Sequence, residues 1–249
     1  MIVRTGPHVW LLISQIEHAR IAAEIAAVWR LPTLLMDLAD DFQFAVQHHD
    51  DGWAQWDSAP AVNEHGRPRD FMDMPMPVAT NIWSASINIT VQHSHWAGLW
   101  VSRHFCHLAE LAIEHRESEA DLAAARRFLA MQFVAQRRWR AQLGVEPDSL
   151  IELLGLHGVQ FFDRLSLWLC CAERTQPQEF VDPEDDRTRW TPVSSAEVRI
   201  ESAAFMAQKL QLAAPATVIP QQLYADDAEL RATIAAGQRT MLAWTLSAC

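Results

Sequence analysis

Four residues, His18, His49, Asp50 and Asp163, stand on stretches that otherwise carry apolar residues at helical spacing. A buried carboxylate without a partner is costly, so each acid must be paired, protonated or bound to a cation. Two imidazoles and two carboxylates meeting in a helical core form a ligand set for a divalent cation such as Mn, Fe, Mg or Zn. One such cation would neutralise both acids. Each residue also has a structural alternative. His18 could be a core histidine bonded to a backbone carbonyl, the run His48, His49, Asp50 and Asp51 a solvated helix end, and Asp163 half of a buried pair with an arginine. If the cation reading holds, Asp50 or the neighbouring Asp51 is placed to take a proton from a bound water.

The elements that must position these residues are helices. Ser14 and Glu17 form an S-x-x-E capping box ahead of Ile21, Ala22, Ile25 and Trp29, and His18 falls on that same face. A second helix, starting after Pro32, sets Leu35, Leu38, Phe42, Ala45, Val46 and His49 at spacings of three and four, with Gly52 as its stop. A third begins near Ser94 and carries Ala97, Trp100, Val101, His104, Leu108 and Leu111 on one stripe. His104 there reads equally as a ligand, a hydrogen-bond donor to a substrate or a satisfied core residue, and His93 and His95 precede or open the helix. A fourth runs from a Ser118 to Asp121 capping box to Gly144. A fifth, capped by Asp148, carries Leu156, Val159, Asp163, Leu167 and Cys170, so a carboxylate interrupts its apolar stripe. Between Trp53 and Gln92 lies a Pro- and Trp-bearing stretch with little periodicity, read as a long insert that covers the mouth of the site. Met1 to Ile13 is extended, with one strand in it at most.

The order His, then His-Asp, then Asp, with the pair ending a helix (AVQHHDDGW) and the last Asp in the segment FFDRLSLWL, resembles the HD-domain superfamily of helical metal-dependent phosphohydrolases, over roughly Ser14 to Glu173. The chain is also similar to a bacterial family that opens on S-Q-x-x-H-A-R and carries HHDDGW. The resemblance implies His18 as first ligand, His49 and Asp50 as the paired ligands and Asp163 as the last. Members with two metals add histidines between the pair and the final Asp, which makes His93 and His104 the candidates for a second ion, with His95 beside them. It implies hydrolysis of a phosphoester, nucleotide-like substrates included, by a metal-activated water, with Asp50, Asp51 and His104 as the catalytic candidates and Arg20 and Arg164 as candidate phosphate grips. Many hydrolytic members carry a basic residue after the HD-x-G step, where this chain has Trp53. Two-iron oxygenases share the fold and are the second reading, and a non-catalytic metal-binding or interaction protein is the third.

Composition bounds these readings. The chain has 249 residues, 50% of them apolar, with eleven tryptophans, which excludes a disordered chain. A net charge of −11, with Lys209 the single lysine, argues against a nucleic-acid scaffold as partner. The longest early apolar run, Val9 to Ile13, is too short for a signal or membrane segment, so the expectation is a cytoplasmic protein with a small-molecule substrate and no membrane partner, and a homo-oligomer is compatible with it. Cys106, Cys170, Cys171 and Cys249 form no CxxC pair and are expected reduced. The expected fold class is mainly α: an HD-like helical bundle core over 1–175 with the insert at about 53–92, then a linker and a small α/β tail over 176–249, including strands at Glu197 to Glu201 and Lys209 to Ala213, packed on the core.

Overall fold

The computed structural model describes residues 1–115, 118–171 and 175–249, so the change of character expected at Glu173 lies outside the described residues. The chain opens as a hairpin, β1 (Ile2–Gly6) and β2 (Val9–Ile13), in which Ile2 pairs with Ile13 and Gly6 with Val9. Helix α1 (Gln15–Ala26) follows, and its Ser14 side chain accepts a hydrogen bond from the Glu17 N–H as the capping pattern requires. After Pro32 a single 3-10 turn, Thr33–Leu38, leads into α2 (Ala39–His48). A short helix α3 (Ala54–Ser58) and a 3-10 turn at Phe71–Asp73, capped by Asp70, precede α4 (Met76–His93). Then come α5 (His95–His115), α6 (Glu119–Leu143), which ends on Gly144 in the left-handed conformation at φ 67°, and α7 (Leu150–Cys171). The remainder is β3 (Gln178–Val181), β4 (Arg187–Pro192), β5 (Glu197–Glu201), β6 (Lys209–Pro220), α8 (Asp227–Ala236) and β7 (Gln238–Ala248).

The expectation of a mainly helical protein with a small appendage is overturned by the sheet. Seven strands among the described residues form one sheet in the order β1-β2-β6-β7-β5-β4-β3, antiparallel except for the β5–β7 pair. The N-terminal hairpin is part of it through β2 and β6, with Trp10 opposite Ile219. The physical reason is legible afterwards. β3 and β4 bury only alternate residues, Phe180, Thr188 and Trp190, and expose the charged ones between, so they mimic a solvated linker. Pro215 and Pro220 made β6 look terminated at Ala213, yet the strand continues through Pro215, which sits opposite Met241 of β7.

The Trp- and Pro-bearing stretch also holds more order than its pattern suggests, because α4 occupies its second half. The buried face of α4 carries Thr80, Ser86 and Thr90 among its apolar residues. The Thr80 and Thr90 hydroxyls donate to the carbonyls of Met76 and Ser86 one turn back, at 2.9 and 3.1 Å. Small polar residues that satisfy themselves in this way can be buried at little cost, and they erase the apolar period that would have announced the helix.

Helices and sheet share one core. Trp29, just beyond α1, stacks on Trp190 of β4 at 6.3 Å and meets Phe161 of α7 edge-on at 5.0 Å. Its neighbours tie α1 to the chain before β6 by backbone hydrogen bonds, Arg30 N–H to Ala204 and Met206 N–H to Val28. Between α5, α6 and α7 lies a polar layer in which the fully buried Glu152 accepts from Arg103 and, with both oxygens, from Arg140 at 2.6 and 2.8 Å. The four cysteines are free thiols. Among the described residues no helix is long and apolar enough to cross a membrane.

Candidate metal centre

Three helices and one turn deliver the polar cluster. His18 closes the first turn of α1, His49 and Asp50 follow the last residue of α2, Asp163 lies in the second half of α7, and His104 faces them from α5. The turn after α2 is a 3-10 turn, Asp51–Trp53, pressed against α4. Gly52 makes this approach feasible: a Cβ there would lie 2.1 Å from the Ile82 carbonyl oxygen, and the Gly52 N–H donates to Ser86 Oγ at 2.9 Å. A side chain at residue 52 must push the turn away from α4 and move Asp50 with it. Gly52→Ala is therefore expected to cost about 3 kcal/mol, at the upper end of overpacking effects, and a urea unfolding curve checks it.

His18 and His49 are completely buried and use their rings in the same way. His18 Nδ1 lies 3.1 Å from the Gln15 carbonyl oxygen, and His49 Nδ1 lies 2.8 Å from that of Val46. A carbonyl can only accept, so in each neutral ring Nδ1 carries the proton and Nε2 a lone pair. Both lone pairs point at oxygen. His18 Nε2 is 3.3 Å from Asp50 Oδ2 and 3.4 Å from Asp163 Oδ1, while His49 Nε2 is 3.5 Å from the same Asp163 oxygen and 3.8 Å from Asp50 Oδ2. His49 Nε2 makes no hydrogen bond at these distances. Lone pairs of nitrogen and oxygen facing one another across about 3.5 Å need a proton or a cation between them. Ring N–H groups tied back to carbonyls, with the opposite nitrogens turned toward the site, are also the usual outer support of metal-binding histidines.

The ligand atoms of His18, His49 and Asp163 all lie within 4.8 Å of one another, a buried group that could hold a metal ion. Asp50 borders it through the two imidazoles. The partners of Asp163 are the imidazoles of His18, His49 and His104, the last at 3.9 Å, and no arginine joins them in the contacts described.

Electrostatics mark the cluster as one unit. Burial pushes the Asp50 carboxyl up to about 7, against the pull of His49. Burial acts to lower His49, but the facing carboxylates of Asp50 and Asp163 overcome it and raise the imidazole to about 9. Asp163 is held down to about 2 by the surrounding histidines although burial opposes this. Burial lowers His18 to about 3 and His104 to about 4, so both are neutral near pH 7. Without a cation the cluster thus holds a proton at neutral pH that a bound cation would displace.

The other sequence candidates lie elsewhere. Asp51 pairs with His48 Nδ1 at 2.7 Å. His93 stacks on Phe44 and pairs with Asp41 at 3.2 Å, and His95 begins α5. Arg20 is engaged by Glu17, Glu24 and the Ala213 carbonyl, and Arg164 lies over the Phe180 ring, so neither grips a phosphate at the cluster. Sequence reasoning missed Gln15, which is buried beside the cluster with an unpartnered Oε1. Its position one turn before His18 on the same helix was the available signal.

A cavity of about 400 Å³ opens onto the cluster, and Gln15, Asp50, His104 and Asp163 form its polar end. The segment after the His-Asp pair lines it, through Trp53, Met72, Met74, Met76 and Trp83, as expected from its place in the chain. A family model described as "Protein of unknown function (DUF3891)" matches residues 1–221, and the chain belongs to that family. Neither the curated proteins nor the solved structures contain a match to it.

Proposed function

We propose that this DUF3891 chain is a metal-dependent phosphohydrolase that uses one divalent cation held by His18, His49 and Asp163, with Asp50 beside it. The observation that carries the reading is the convergence of two imidazole lone pairs and two carboxylates on one buried point at the end of a cavity. The likeness of the His, His-Asp, Asp order to HD-domain enzymes supports it. A cation in this donor set supplies positive charge for phosphoryl oxygens and lowers the pKa of a bound water. Asp50, whose carboxyl titrates near neutrality and reaches the cavity, accepts the proton of the attacking water. His104, neutral and lining the same end, orients a substrate oxygen. The two-iron oxygenase alternative asks for histidines beyond this set; His104 alone stands beside it, because His93 is engaged with Phe44 and Asp41.

Elemental analysis of protein purified without chelator is expected to give close to one divalent cation per chain, and a panel of phosphoesters assayed with and without that cation then tests hydrolysis. Metal-free protein that neither binds Mn, Fe, Mg or Zn nor changes its melting temperature with them ends the reading. The cluster also sets a pH dependence. His49 must shed the proton that the two carboxylates stabilise before its Nε2 can ligate, so cation affinity is expected to rise with pH between about 6 and 9, tenfold per pH unit for each proton released. Titration calorimetry in buffers of different ionisation enthalpy measures that release, and an affinity flat across this range contradicts the assignment of His49.

A further inference from the structure

The chemistry of the cavity walls narrows the substrate. Polar residues gather at the inner end, and among the described residues His115 alone adds a polar side chain at the outer end. One wall is built by Trp53, Trp83 and the methionines 72, 74 and 76, and the other is a single stripe of α5, Phe105, Leu108, Leu111 and Ala112. Among the described residues no arginine or lysine lines it. The stripe from His104 to His115 is roughly 16 Å long, at 1.5 Å of rise per residue. At the outer end Met72 is 74% and Leu111 37% exposed. Thioether side chains adapt to irregular or flexible apolar ligands better than branched ones do. A nucleotide placed here would bury its ribose hydroxyls and base edges against groups that cannot hydrogen-bond.

We infer that the substrate of this site is an amphiphile, a phosphate monoester whose charged head meets the cation cluster. Water attacks phosphorus, the P–O ester bond breaks, and phosphate and an alcohol leave. The alcohol oxygen takes the proton the water gave up, and its alkyl or isoprenoid chain of on the order of ten carbons lies along α5, given carbon–carbon bonds of ~1.5 Å. The inference rests on the phosphohydrolase reading for the head group and on the cavity alone for the tail. Gln15, buried at the junction and lining the cavity, carries in its side-chain Nε2 the donor for the ester oxygen where head becomes tail.

The test is a series of unbranched alkylphosphonates, ethyl to decyl, titrated calorimetrically into Mn-loaded protein. Each added methylene is expected to tighten binding about fourfold, the ~0.8 kcal/mol of burying one such group, until the cavity is filled. Ethyl- and decylphosphonate binding within twofold of each other, or deoxyadenosine monophosphate binding more tightly than decylphosphonate, overturns the inference. Ala112→Phe narrows the channel and is expected to cost decylphosphonate tenfold or more while leaving ethylphosphonate unchanged. If that variant does not fold, the wild-type chain-length series decides alone. Repeating the series in chelator separates the two readings. Loss of affinity by one factor at every length supports the cation as head-group receptor. A chain-length dependence that survives with no effect of chelator keeps the apolar site and discards the metal reading. A chelator effect without chain-length dependence does the reverse.

Discussion

Asp163→Asn is expected to make the melting temperature of this protein indifferent to divalent cation. In the wild type, cation at about a hundredfold excess over its Kd adds about 2.7 kcal/mol, which for a chain of this length raises the melting temperature by roughly 5–10 °C. Asn keeps the shape of the side chain and removes the charge that balances the ion beside His18 and His49. Affinity should fall at least a hundredfold and the shift should vanish. In chelator the variant is expected to melt within a few degrees of the wild type, because His49, raised to about 9 by the facing carboxylates, sheds its proton once the Asp163 charge is gone, and a buried ion pair gives way to neutral groups. Melts of both proteins with Mn and with chelator decide the matter. A wild type that ignores cation and chelator alike, with a variant that melts far lower in every condition, would make Asp163 a structural partner of His49 and remove the metal reading.

Glu152→Ala is expected to have the largest effect on stability while leaving the cation response intact. Glu152 is 0% exposed and holds Arg103 from α5 and the fork of Arg140 from α6 against α7. Removing the carboxylate strands two guanidinium groups in a largely desolvated layer, of which only Arg103 keeps another partner, Asp148 at 2.7 Å. Breaking one side of a buried ion pair costs about 3–5 kcal/mol, a fall in melting temperature on the order of 10 °C. Because the layer lies between helices and contributes no atom to the cluster, the Mn-induced shift should persist at its wild-type size. A variant that loses the shift as well would show that helix packing and cation site are coupled.

Much of this site was legible in the chain. The capping box at Ser14 sets the phase of α1 and with it the inward direction of His18, and an acid in the apolar stripe of α7 marks Asp163 before any coordinates, since a helix repeats its faces every three to four residues whatever surrounds it. Strong local signals of this kind, Ser118 and Gly144 among them, also fixed the ends of α6. Where signals were weak the reading failed. The hydroxyl-bearing face of α4 hid a helix, and the half-exposed strands β3 and β4 passed for a linker, because each depends on a partner remote in sequence to give its pattern meaning.

The sequence by itself therefore determined which residues face inward, that two acids and two imidazoles among them required compensation, and that the segment after the His-Asp pair must begin at the site. Only the tertiary structure decided that the N-terminal hairpin and the C-terminal strands close one sheet, that His104 joins the cluster while His93 does not, and that the cavity above it is apolar. Helical phase is a local property, fixed by backbone geometry within a turn or two. Strand pairing, convergence of side chains from four separate segments and the lining of a cavity are long-range properties, set by which surfaces bury one another when the whole core forms.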